Sequence, residues 1–282
     1  MLHEALAVLL ICHMVAPAAS ACQLLPPNVP PPVTSSRAVF CVDADGCCTF
    51  TTVQAAVDAV PENSQKRSIV WINSGLYVEK ITVKKPNVTF QGQGLHATTI
   101  VWNDTATSAN STPNSATVHI DAPGFVAKNI SFKNAAPAPK PGAQGAQAVA
   151  IRISSDKAAF WGCGFFGAQD TLLDEQQRHY FKECFIEGSI DFIFGDARSL
   201  YENCTLNSIA VAVPKGQRFI NGAITAQGRQ FRENNTGFST VFYGEYACYG
   251  DGASMAGRVG YGHSLDYAQA QPFLTSSYIE GE

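Results

Sequence analysis

A chain of 282 residues with 46% hydrophobic content can bury a substantial core, as one large β domain or two smaller ones, which speaks against wholesale disorder. Only 15% of residues are charged, the net charge is -4, and no basic run of five or more residues occurs, so the footprint of a nucleic-acid partner is missing.

The opening residues, MLHEALAVLLICHMVAPAASAC, carry an apolar stretch from Ala5 to Val15 and small residues from Ala18 to Ala21. That is the pattern of a secretory signal over residues 1–21, cleaved near Ser20 or Ala21. Glu4 and the lack of Lys or Arg before the apolar stretch depart from it, and an amphipathic helix kept in the mature chain is the alternative. Residues 22–38 are Pro-rich and read as a semi-extended connector to a domain over 39–282. No later apolar run is long enough to span a bilayer. Sequons at Asn87, Asn103, Asn110, Asn129, Asn203 and Asn234 suit a secreted chain. The nine cysteines show no CxxC spacing, Cys47 and Cys48 being adjacent. Export favours disulfides over a metal site, and spacing alone does not set their pairing.

From Phe50 to Pro61, FTTVQAAVDAVP places Val53, Ala56, Val57 and Val60 on one face of a short amphipathic helix with Thr51 or Thr52 as N-cap. After Arg67 the pattern changes to short β-rich runs separated by Gly and Asn turns, among them SIVWINSG, NVTFQGQG, KNISFKNA, AAFWGCGFFG, HYFKECFIEG and SLYENCTLNS. Three runs align on Cys163, Cys184 and Cys204, in steps of 21 and 20 residues, with Ile130 and Val88 as looser equivalents. Strand-and-turn similarity at that period predicts an all-β, single-stranded right-handed parallel β-helix, each coil stacked on the last. An antiparallel sandwich of short strands is the alternative.

The period brings chemistry together. Gln147 and Gln169 are 22 residues apart, and Asp170 and Asp191 are 21 apart, so each pair is expected side by side on neighbouring coils. In DFIFG, alternation sends Asp191 and Ile193 one way and Phe192 and Phe194 the other, which predicts both phenylalanines in the core. Gln169 and Asp170 are adjacent and cannot both face outward in mid-strand, so one must lie at a strand end or bend. Two close carboxylates cannot both ionise cheaply, so one holds a proton while the other stays charged. Neutral glutamine amides beside them suit a developing oxyanion. The set fits acyl transfer or ester hydrolysis through a covalent intermediate, and paired carboxylates fit glycoside hydrolysis as well. No GxSxG occurs, and the six histidines, at 3, 13, 96, 119, 179 and 263, form no HExxH.

GLYVEK at 75–80, QAVAIR at 147–152, GAQDTL at 167–172, DFIFG at 191–195 and GAITAQGR at 222–229 occur in order. On these motifs the chain, from about residue 39 to its C-terminus, resembles the plant pectinesterases (pectin methylesterases). The resemblance implies a single-domain β-helix enzyme that removes methyl esters from homogalacturonan in the plant cell wall. It implies methyl-esterified pectin as the substrate and a proteinaceous pectinesterase inhibitor as a partner. It also implies a monomer with no cofactor, no metal, no nucleic acid and no membrane contact after processing. Asp191 becomes the nucleophile, Asp170 the acid and then the base, and Gln169 and Gln147 the oxyanion donors. Thr117, in NSATV, matches a substrate-binding threonine, and Cys184 and Cys204 match a disulfide across neighbouring coils. The catalytic pattern is expected to begin almost directly after the signal, without an inhibitor-like prodomain between them.

The resemblance breaks downstream. The family carries Leu-Gly-Arg-Pro-Trp or Leu-Gly-Arg-Ala-Trp, whose Arg orients the nucleophile and whose Trp contacts the sugar. Here the chain passes from Ser239 straight to TVFYGEYACYG, as if two or more coils were deleted near 239/240. The tryptophans, at 71, 102 and 161, all lie upstream. A catalytically impaired isoform, or a non-catalytic pectin-binding wall protein, is therefore an alternative to the enzyme. A shortened coil stack also predicts a less regular tail, with Phe242, Tyr243 and Tyr246 short of apolar partners.

Overall fold

The structure, a computed structural model, describes residues 38–62, 64–140, 142–210, 242–256, 258, 262–275 and 277–280. The expected signal, residues 22–37 of the connector, GAITAQGR and the join near 239/240 lie outside the described residues.

After β1 (Ala38–Val42), three strands make each coil. The first coil is β2 (Ser68–Ile72), β3 (Gly75–Val78) and β4 (Ile81–Val83), and the second is β5 (Val88–Gln91), β6 (Thr98–Trp102) and β7 (Val118–Ile120). The third is β8 (Val126–Lys128), β9 (Ser131–Asn134) and β10 (Ile151–Ile153). The fourth is β11 (Ala158–Trp161), β12 (Gly164–Phe166) and β13 (Leu172–Asp174). The fifth is β14 (Arg178–Lys182), β15 (Phe185–Gly188) and β16 (Ile193–Phe194), and β17 (Arg198–Glu202) and β18 (Thr205–Ser208) begin a sixth. Like strands of successive coils pair in parallel, giving a first sheet β1-β2-β5-β8-β11-β14-β17, a second β3-β6-β9-β12-β15-β18 and a third β4-β7-β10-β13-β16. The fold is the right-handed parallel β-helix that the period predicts.

Inward residues fill the coil interior with a phenylalanine-rich stack. Phe181 lies between Phe160, at 4.9 Å, and Tyr201, at 4.5 Å, with rings within 6° and 3° of parallel. Each extra coil extends this column, so burial grows with coil number.

The period of 20 to 21 residues originates in a tight corner between the first and second sheets. Its leading residue has left-handed backbone in four consecutive coils: Asn129 (φ 53°), Gly162 (58°), Glu183 (54°) and Asn203 (52°). The next residue, Ile130, Cys163, Cys184 or Cys204, then turns inward against the core. Val88 is not an equivalent of these, because it opens β5 opposite Ser68 in the first sheet.

The expected Cys184–Cys204 disulfide is absent: both are free thiols, as is Cys163. They stack one per coil, and each sulfur donates to a backbone carbonyl, Cys184 to Phe160 or Lys182 and Cys204 to Phe181 or Glu202. Cys41 instead bonds Cys48, tying β1 to the turn before the first helix.

That helix, α1 (Val53–Ala59), packs on β1, β2 and β4. Thr52 caps it by accepting from Ala55 N, and the Glu79 carboxylate accepts from the amides of Val53 and Gln54 at 2.8 and 3.0 Å. Two orphan donors and the positive helix end are thereby satisfied together.

The tail forms a parallel pair, β19 (Tyr243–Glu245) with β20 (Gly262–Ser264), and two one-turn helices, α2 (Tyr267–Ala270) and α3 (Ser277–Glu280). Phe242 stacks with His263 and Phe273, yet it remains 49% exposed, and Tyr246 remains 38% exposed. Exposed apolar groups do collect in the tail, with Tyr249, Tyr267 and Leu274 adding to these two. The tail is not detached: α3 packs on β14 and β17, where Arg198 sits over the Tyr278 ring at 4.4 Å.

Candidate active site

Asp170 and Asp191 lie in the bends that lead from the second sheet into β13 and β16. Leu172 pairs with Ile193, so the two aspartates, each two residues upstream, occupy equivalent positions of adjacent coils. The Asp170 amide donates to the Ile190 carbonyl at 3.0 Å, and Gln169 forms an isolated parallel bridge with Ile190. Both aspartates have left-handed backbone, with φ of 64° and 47°, which costs a non-glycine residue about 1 kcal/mol or more. The bend lets Gln169 and Asp170 serve one site although they are neighbours in sequence.

The left-handed residue also resets the strand alternation, which corrects the reading of DFIFG. Phe192 and Ile193 both join the main core, whereas Phe194 turns outward. There it packs with Leu173, Val149 and Ala116 in a second apolar cluster on the third sheet.

The glutamines follow the register less strictly. Ile151 pairs with Leu172, so Gln147 stands opposite Ala168, one position before Gln169. The chain stays parallel there, with Ala148 N donating to the Gln169 carbonyl at 3.0 Å. The Gln147 Oε1 atom is buried without a hydrogen-bond partner, and so is Oδ1 of Asp191. Buried polar atoms left unpaired are costly.

Thr117 does not face this site. It is fully buried, and its Oγ1 donates to the Lys133 carbonyl at 3.0 Å, linking the second coil to the third.

Burial, reinforced by the Asp191 charge, pushes the Asp170 carboxyl up to about 8, and burial pushes Asp191 up to about 7. The proton therefore stays on Asp170 while Asp191 ionises. No cation among the described residues bonds to Asp191. Arg258, the only arginine after the join, pairs with Glu245 through two contacts of 2.6 and 3.0 Å.

Three buried residues that the motifs did not single out fix the backbone around the site, two of them at the aspartate bends. Thr171 Oγ1 donates to the Glu187 carbonyl at 2.9 Å, and Ser189 Oγ to the Ala168 carbonyl at 3.0 Å, each linking the two aspartate-bearing coils. Asn134 Nδ2 donates to the carbonyls of Asp104, Ser115 and Val149, and its Oδ1 accepts from Ala136 N. The signal for Asn134 was an amide at the end of the short strand run ISFKN, where a buried polar group must be fully satisfied.

The Pectinesterase family profile matches residues 39–241. Probable pectinesterase 8 of Arabidopsis thaliana is 47% identical over 315 aligned positions, covering 93% of this chain and 80% of that protein. Putative pectinesterase 14 of the same plant is 41% identical, covering 89% of each chain. An alignment of 315 positions exceeds the 282 residues present, so that relative carries residues which this chain lacks within the matched span. Among solved structures, pectin methylesterase from carrot superposes with a TM-score of 0.56 at 38% identity, over 62% of this chain and 53% of that one. The deglycosylated enzyme from Aspergillus niger gives 0.54 at 29% identity, over 65% and 64%. The chain thus spans less than two thirds of either solved structure.

Proposed function

The chain belongs to the pectinesterase family, and from that membership we propose that it hydrolyses methyl esters of cell-wall homogalacturonan, releasing methanol outside the cell. The observation that carries this reading is the pair Asp170 and Asp191, set in register on adjacent coils in equivalent left-handed bends.

In the proposed reaction the ionised Asp191 carboxylate attacks the ester carbonyl, and the side-chain amides of Gln147 and Gln169 donate to the oxyanion. Protonated Asp170 gives its proton to the departing methoxide, which leaves as methanol, and the acyl group remains on Asp191. Asp170, now ionised, takes a proton from water as it attacks the acyl carbon. Collapse frees the Asp191 carboxylate and the galacturonic acid, which then releases its proton to solvent, and Asp170 is again protonated. The overall balance is one ester and one water consumed, one acid and one methanol formed.

A second reading, a pectin-binding protein of impaired activity, is favoured by one observation: Asp191 has no cationic partner among the described residues. Missing charge support for a catalytic carboxylate costs a few kcal/mol, or several orders of magnitude in rate. Purified protein incubated with methyl-esterified pectin separates the readings. Methanol without new reducing ends or unsaturated uronides supports the esterase. Retention on immobilised pectin without methanol supports the binding protein, and chain cleavage contradicts both.

A further inference from the structure

On the outer face of the first sheet, away from the aspartate bends, the tail roofs a cavity of about 410 Å3. That volume lies inside the ~300–1,000 Å3 usual for small-ligand pockets. Its hollow stands over Ala159, a small residue whose register row continues through Tyr180 to Leu200. Leu274 and Ile279 of the tail form the roof, and Leu274 is still 46% exposed there. Trp161 and Tyr180 make the aromatic part of the wall. Their rings meet edge to face at 5.8 Å, and Lys128 lies over the indole at 5.2 Å, so both rings are held in place.

The two ends of the cavity differ in charge. At one end Lys157 is exposed and forms no ion pair among the described residues, whereas its neighbour Arg178 is committed to Asp156. At the other end stands Glu202, which accepts from the Tyr180 hydroxyl at 2.6 Å and pairs with Lys182 at 2.9 Å. Its carboxylate keeps further lone pairs for another donor. The four residue steps from Lys157 to Trp161 span about 13 Å of strand. A cation, an apolar slot with fixed rings and an anionic acceptor therefore follow one another along that length.

We propose that this cavity binds a small hydroxyaryl carboxylate, with its carboxylate at Lys157, its ring over Ala159 and its hydroxyl donating to Glu202. A flat ring fills a slot between Trp161, Tyr180 and the aliphatic roof. A sugar of similar size would bury hydroxyls against Leu200, Leu274 and Ile279, which offer them no partner, at a cost in free energy. An aliphatic acid would use Lys157 but bring no donor to Glu202. The site is built on a different sheet from the aspartate pair and does not depend on the esterase reading.

Titration calorimetry of the full chain with 4-hydroxycinnamate tests the proposal. Wild type is expected to bind one equivalent with a dissociation constant on the order of 0.1 mM or below. Lys157→Asn removes the charge and tolerates the left-handed backbone at that position, φ 61°, and it weakens binding roughly five-fold. The methyl ester of the same acid binds wild type more weakly than the acid does, and it binds Lys157→Asn no more weakly than wild type. Ala159→Leu fills the hollow and abolishes binding in a protein shown by thermal unfolding to be folded. If that variant does not fold, the Lys157→Asn comparison decides. Asp191→Asn binds as wild type does, which keeps this result separate from that of the methanol assay. No saturable binding up to about 2 mM overturns the proposal. So does equal affinity of wild type and Lys157→Asn for the acid, undiminished binding by a folded Ala159→Leu protein, or loss of binding in Asp191→Asn.

Discussion

Asp170 and Asp191 repeat each other: one coil apart, both in left-handed bends, each followed two residues later by an inward aliphatic residue of the third sheet. The repeat puts two acids in one desolvated place, and its consequence for stability has a definite sign. Between about pH 4 and the folded-state values of about 8 and 7, the folded chain holds protons that the unfolded chain has released. Stability therefore falls as pH rises through that window. Asp170→Asn keeps the shape and tolerates the left-handed backbone, but it does not ionise. Its unfolding free energy from urea titration should exceed that of wild type at pH 8.5, by roughly 1–3 kcal/mol, and approach it near pH 4. A wild-type-like profile in the variant would contradict the assigned protonation.

Another buried acid, Asp174, is built for the opposite purpose. His179 Nε2 donates to the Ser155 carbonyl at 2.9 Å, so its other ring nitrogen donates to Asp174 only when the imidazole is protonated. Burial alone would lower the His179 pKa, but the hydrogen bond and charge of Asp174, with the Ser155 carbonyl, outweigh it and raise the net value. A raised folded-state value contributes stability that is complete below about pH 6.5 and is lost as pH rises through the folded value. His179→Gln should therefore cost most at pH 5.5, roughly 2–4 kcal/mol, and less at pH 9. Equal costs at both pH values, measured by urea unfolding, would contradict this account.

The aromatic column ties the coils that bear the two aspartates. Phe181 is fully buried between Phe160 and Tyr201, so Phe181→Ala should cost about 3–5 kcal/mol, against about 1–2 kcal/mol for Phe181→Leu, which leaves a smaller cavity. Denaturant midpoints compare the two. A loss below about 1 kcal/mol for the alanine variant would mean that the column adds little.

The coil period was legible because corner residues recur: Cys163, Cys184 and Cys204 mark the same inward step in three coils. The aspartate register was legible for the same reason. What spacing could not carry was backbone handedness. A left-handed Asp191 moves Ile193 inward and Phe194 outward, whereas alternation alone predicts the reverse. Nor could a motif match show that Thr117 points into the interior, or that Cys41, not Cys47, bonds Cys48. Both depend on loop paths between coils, which carry no period.

The central claim is that this chain is an esterase acting through Asp191. The most direct measurement is methanol release from methyl-esterified pectin by wild type and Asp191→Asn, with thermal unfolding of both at pH 5 to establish that the variant is folded. The account predicts measurable release by wild type and a loss of about 10⁴-fold in kcat in a folded Asp191→Asn protein. Equal release by the two proteins, or none by a folded wild type, would contradict it.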